Sequence, residues 1–191
     1  MTADEFLRWV VGQSERFELV DGRIVRMMVG AKQSHNVVAA NILAALLPQT
    51  KRGGCRTTAS DTSVRTSPQG VRYPDIVVDC GPRDPNALEA SKPVLVVEIS
   101  SPSTSTLDAT DKLDEYRGHG DIALILLVEP DVVLAKLYRR DAQGIWQVEK
   151  YDDIGQSVEL PEIGATLALR DVYDTVEPSA LPKLRLVEDA G

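Results

Sequence analysis

Two acidic residues stand where packing alone gives no reason for them. Pro74-Asp75 interrupts Val71–Cys80, an otherwise largely apolar stretch, and the run Val94-Leu95-Val96-Val97 ends in Glu98, followed by Ile99-Ser100. A carboxylate at the end of a buried strand is costly unless something pairs with it. Two of them on neighbouring strands can converge on one Mg2+ or Mn2+, hard cations that take oxygen ligands. The same spacing is also met if Asp75 caps a turn and Glu98 makes a salt bridge at a strand end. Glu18, between Phe17 and Leu19, is a third candidate, because glutamate is disfavoured in strands. Its plain alternative is an exposed hairpin carboxylate facing Arg23 or Arg26. Lys112 follows Asp108 at the four-residue spacing of a helical ion pair. His35 opens a helical stretch, and with His119 the only other histidine a histidine-rich or zinc site is excluded. Phosphate-loop, dinucleotide and nucleophile-elbow motifs are absent.

The elements that would position these residues follow from periodicity and punctuation. Thr2–Val11 reads as a helix with Thr2 as its cap and Glu5 as the reciprocal partner. Phe17–Val20 and Arg23–Met28 flank Asp21-Gly22, a type I′ hairpin signal. Ser34–Leu47 carries apolar residues at helical spacing (Val38, Ile42, Ala45, Leu46), with Ser34 as the expected cap and Pro48 as the expected stop. Strands are expected at Arg56–Thr66, Val71–Cys80 and Pro93–Ser100, the last apolar enough to be covered on both faces. Thr106–Gly118 reads as a helix with Ala109, Leu113 and Tyr116 on one face. Ile122–Val128 is a buried strand, and Val132–Tyr138 with Trp146–Tyr151 an antiparallel pair. The order predicts an α/β (α+β) fold, a mixed sheet flanked by helices, with a single domain over 1–180 and a loose tail over 181–191.

Composition sets the outer bounds. The chain has 191 residues, 43% of them hydrophobic and 26% charged, ordinary for a globular domain. No apolar run approaches the roughly 20 residues of a membrane span, and Asp4, Glu5 and Arg8 interrupt any signal-like core. Cys55 and Cys80 form no metal-ligand pattern, so free thiols in a reducing cytoplasm are expected. The net charge of −8 argues against a broad nucleic-acid-coating surface, yet residues 1–60 hold 8 basic and 5 acidic side chains.

Taken in order, Phe17-Glu18-Leu19-Val20-Asp21-Gly22, His35, Tyr73-Pro74-Asp75, Val97-Glu98-Ile99-Ser100-Ser101-Pro102-Ser103, Asp108, Lys112 and Tyr116 resemble the Uma-type restriction endonuclease family of the PD-(D/E)XK nuclease superfamily. The resemblance implies a restriction-endonuclease-like core with Asp75 and Glu98 as ligands of Mg2+ or Mn2+. It implies Glu18 as a further acid, bound to the metal directly or through water, and the Ile99 carbonyl as another ligand. The superfamily's lysine would fall at position 100, which here is Ser100; the family pattern points instead to Lys112 on the following helix. The implied catalytic set is Asp75, Glu98 and Lys112, with His35 on substrate phosphate or holding Glu18.

The activity so implied is metal-dependent hydrolysis of phosphodiester bonds in nucleic acid, DNA before RNA, by a cytoplasmic enzyme. A homodimer is expected, since two sites cut two strands most simply and C2 symmetry is commonest. The alternative is a nuclease fold used without catalysis for protein interaction or regulation. A carboxylate-pair glycosidase ranks last, because 2 Trp and 2 Phe leave little to stack on sugars.

Overall fold

Thr2 and Glu5 cap the first helix reciprocally: the Glu5 amide donates to Thr2 Oγ1 at 3.3 Å and the Thr2 amide to Glu5 Oε2 at 2.8 Å. The helix, α1 (Ala3–Val10), buries Ala3, Phe6 and Leu7 against Leu19 and Val71. Those two belong to a four-stranded antiparallel sheet of order β2-β1-β5-β4, built from β1 (Phe17–Val20), β2 (Arg23–Arg26), β4 (Val64–Ser67) and β5 (Gly70–Arg72). Asp21 and Gly22 both have positive φ (48° and 75°), as the expected hairpin turn requires.

The computed structural model describes residues 1–27, 30–101 and 106–179, and for 106–109 the backbone alone. The expected strand end at Met28, the Pro102-Ser103 step, the side chains of Asp108 and Ala109, and the tail from Leu181 lie outside the described residues.

A six-stranded mixed sheet forms the centre, in the order β10-β9-β8-β7-β6-β3. Its strands are β3 (Arg56–Ala59), β6 (Ile76–Asp79), β7 (Pro93–Ile99), β8 (Leu124–Glu129), β9 (Leu134–Arg140) and β10 (Trp146–Tyr151). Only β7 and β8 pair in parallel, and the helix α3 (Thr106–Gly118) connects them. On one face Ile76, Val78, Val97 and Ile99 pack with Val38, Ile42 and Leu46 of α2 (Gln33–Thr50). On the other, Val77, Val96 and Ile125 pack with Tyr116 of α3. The apolar run in β7 is thus covered on both sides, each such side chain contributing about 1.5–3 kcal/mol on burial. β11 (Ser157–Leu160), β12 (Ala165–Ala168) and the short α4 (Leu169–Val172) extend the α2-side core.

Several expectations need correction. Arg56–Thr66 is two strands, β3 and β4, in different sheets, broken where Ser60 takes positive φ. Val71–Cys80 likewise divides into β5 and β6 at Tyr73-Pro74-Asp75, where Pro74 has no amide to give to a ladder. Ser34 is not the cap of α2: Lys32 holds that position, and Ser34 Oγ donates to Asp131 at 3.2 Å. Pro48 sits inside the last turn, and the helix runs on to Thr50, whose hydroxyl donates to the Leu46 carbonyl at 3.1 Å. The cysteines are not free thiols: Cys55 and Cys80 form a disulfide. The β3/β6 register pairs Arg56 with Asp79, and one more step sets the two cysteines face to face, an apposition that sequence spacing does not reveal. No helix among the described residues is long and apolar enough to cross a membrane.

Candidate active site

The end of the β6/β7 ladder brings the first two acids together. Ile76 pairs with Val97, and the next step of that register sets Asp75 opposite Glu98. Directly opposed residues share a face of an antiparallel pair, with Cβ atoms about 5 Å apart. Asp75 Oδ2 accepts the Ile99 amide at 2.8 Å, and Oδ1 lies 3.4 Å from His35 Nε2. His35, in the first turn of α2, has its pKa raised, chiefly by the hydrogen bond to Asp75, with the Ile99 carbonyl adding to it and burial opposing.

Glu18 arrives from the other sheet. Leu19 of β1 pairs with Val71 of β5, so the same register sets Glu18 opposite Arg72. The carboxylate is 4% exposed and does not face Arg23 or Arg26 as a hairpin side chain would; Arg26 pairs with Glu15 instead. Its Oε2 accepts from Arg72 Nη1 at 3.0 Å, and its Oε1 accepts from the Tyr73 amide at 3.2 Å and lies 3.1 Å from Lys112 Nζ. The segment Tyr73-Pro74-Asp75 is therefore the crossing from one sheet to the other, and it delivers Asp75 beside Glu18.

Helix α3 completes the group. Lys112 Nζ stands between Glu18 Oε1 and Glu98 Oε1, at 3.1 and 4.0 Å. Three and four residues on, Glu115 and Tyr116 lie on the same helical face. The Tyr116 hydroxyl donates to Glu98 Oε1 at 2.7 Å. Arg72, 1% exposed, makes a two-pronged bond to Glu115 at 2.9 and 2.5 Å, and Thr66 Oγ1 donates to Glu115 at 2.8 Å. Arg72 and Glu115 were not singled out by sequence reasoning. The one available signal was an arginine inside the apolar stretch Val71–Cys80. Ser100, at the position where the superfamily carries lysine, donates instead to Glu129 at 2.7 Å.

The electrostatics favour a cation. Four carboxylates (Glu18, Asp75, Glu98, Glu115) face Lys112 and the guanidinium of Arg72. Burial, foremost, pushes the Glu98 carboxyl up to about 7; the charges of Asp75 and Glu18 act the same way, while Lys112 and the Tyr116 hydroxyl pull it down. The Arg72 guanidinium is held charged despite burial, by hydrogen bonds to Glu115 and the charge of Glu18.

No group of three or more His, Cys, Asp or Glu side chains among the described residues forms a ready-made metal cluster. Magnesium does not require one, since it keeps several waters and binds through one or two carboxylates plus substrate phosphates. Asp75, Glu98 and the Ile99 carbonyl are an all-oxygen donor set of that kind. Glu18, whose two oxygens are already held by Arg72, Tyr73 and Lys112, fits a water-mediated place better than a direct one.

Three comparisons bear on the chain. Residues 3–170 match the model of the family Uma2, described as "Putative restriction endonuclease". An uncharacterized protein of Synechocystis sp., slr1290, is 30% identical over 175 residues, covering 91% of each chain. A crystal structure described as a putative nuclease belonging to DUF820, from Anabaena variabilis, superposes with a TM-score of 0.70 at 22% identity, covering 90% of this chain and 97% of that one. At that identity the likeness is one of fold, the mixed sheet flanked by helices described above.

Proposed function

The chain belongs to the Uma2 family, and on that premise we propose that it is a metal-dependent endonuclease that hydrolyses phosphodiester bonds in nucleic acid, DNA in preference to RNA. The observation that carries the proposal is the convergence of Lys112 on Glu18 and Glu98, beside the ladder end where Asp75 is bonded to the Ile99 amide. Lysine is absent from position 100, and α3 supplies an ammonium to the acids from a different backbone position, as the long, flexible stem permits.

Asp75, Glu98 and the Ile99 carbonyl would hold Mg2+ or Mn2+. When bound, such an ion polarises a phosphoryl oxygen and makes water a better nucleophile. The Lys112 ammonium offers positive charge where negative charge develops on the phosphorus oxygens, and as a hydrogen-bond donor it can orient the attacking water. Glu18 fixes the ammonium from behind, itself fixed by Arg72. Tyr116 orients Glu98 through its hydroxyl. His35, with Nε2 on Asp75 and Nδ1 on Asn36 Oδ1, would position Asp75, and it would meet a substrate phosphate only by giving up one of these contacts. We further propose a homodimer with one such site in each subunit.

The direct test is cleavage of plasmid and single-stranded DNA in Mg2+ or Mn2+. Wild type cuts, and Asp75→Asn and Lys112→Ala each lose about 100-fold or more, the scale on which removing one electrostatic group from a catalytic centre acts. Full activity in either variant would exclude the assignment.

A further inference from the structure

The crossing segment borders more than the acidic centre. A cavity of about 400 Å3 opens where the end of α1, the start of β1 and Tyr73 meet, within the roughly 300–1,000 Å3 range of small-molecule sites. Val10, Phe17, Tyr73 and Leu88 supply apolar and aromatic wall, and the polar lining is Gln13, Ser14 and Arg16 with the carboxylates Glu15 and Asp61. The wall is braced: Phe17 packs on Trp9 with ring centroids 5.1 Å apart, and the Tyr73 amide is bonded to Glu18. Arg16 is anchored to the Ser60 carbonyl and paired with Asp61 at 3.3 Å, yet stays 44% exposed. Leu88 at the rim is 45% exposed, an apolar surface the fold itself does not use. Tyr73 lies two residues from Asp75, at most about 7 Å along an extended chain.

We propose that this cavity receives an unpaired nucleobase of the strand whose phosphate lies at Asp75 and Glu98. The inference rests on the nuclease reading and names the substrate class within it: nucleic acid with an unstacked base beside the scissile phosphate. Aromatic rings next to a guanidinium are the surfaces on which single-stranded bases stack, and such stacking tolerates any base because each has a π-face. A duplex would have to extrude a base to occupy the cavity, which favours single strands, frayed ends and mismatches.

The test compares a thymidine hexamer with a fully abasic hexamer of equal charge, both binding in Ca2+ and followed by anisotropy. Wild type binds the thymidine hexamer about tenfold more tightly, as expected when one base stacks on a protein ring. Tyr73→Leu, and Val10→Trp filling the cavity from α1, bring the ratio toward one without changing abasic affinity, while Tyr73→Phe retains it. Equal affinities in wild type, or a ratio unchanged in both Tyr73→Leu and Val10→Trp, overturn the cavity assignment alone. Failure of wild type to bind either hexamer overturns the nuclease reading beneath it.

Discussion

At Glu98, burial and then the charges of Asp75 and Glu18 oppose ionisation, so the carboxyl titrates at about 7 rather than 4.5. The folded state therefore binds a proton that the unfolded chain has released between those values. Stability from this group is intact below 4.5 and is lost as pH rises to 7. The total is roughly 3 kcal/mol at 1.36 kcal/mol per pKa unit. Glu98→Gln should flatten that stretch of the pH–stability curve and raise stability at about pH 8, read by urea unfolding, while removing a proposed metal ligand. An unchanged curve contradicts the assignment of a strained carboxyl. His35 has the opposite sign: its raised pKa gives stability that is full below 6.5 and fades as pH rises through the folded value. Arg72 is a different case, a buried cation between two acids. Arg72→Met strands Glu18 and Glu115 and should cost about 3–5 kcal/mol in thermal or urea denaturation; a cost under about 1 kcal/mol, the scale of a surface pair, contradicts its role as their counter-charge.

Elements were legible where their signal is local. The Thr2–Glu5 capping box, the Asp21-Gly22 turn and the bounds of α3 all stand as the sequence suggested. Signals that depend on tertiary partners were not legible. β5 and β6 read as one strand although Pro74 marks a break within Val71–Cys80, because the break does not say that the two halves join different sheets. β11, β12 and α4 are too short to carry a period of their own. Asp75, Glu98, Glu18 and Lys112 were visible through an ordered family pattern, whereas Arg72 and Glu115 were hidden because their partners are distant in sequence and lie on other elements. The disulfide belongs to the same class, being fixed by β3/β6 register. Closing a loop of 25 residues, it should add about 3 kcal/mol by constraining the unfolded chain. Cys55→Ser with Cys80→Ser should lower urea stability by that order, and no difference from the oxidised protein contradicts it.

At the scale of the whole molecule, a net charge of −8 repels nucleic acid in general, and contact has to be made locally. The acids cluster at one end of a six-stranded sheet, with the aromatic rings Phe17 and Tyr73 and the Asp61-paired Arg16 alongside. Family membership and a shared fold give the expected chemistry, but activity depends on whether this end of the sheet takes up a divalent cation. Calorimetric titration of Mn2+ into wild type and Asp75→Asn answers that without a substrate. The account predicts saturable binding to wild type that disappears in Asp75→Asn, with both proteins folded. Equal, saturable heats in the two proteins would contradict a metal centre built on Asp75.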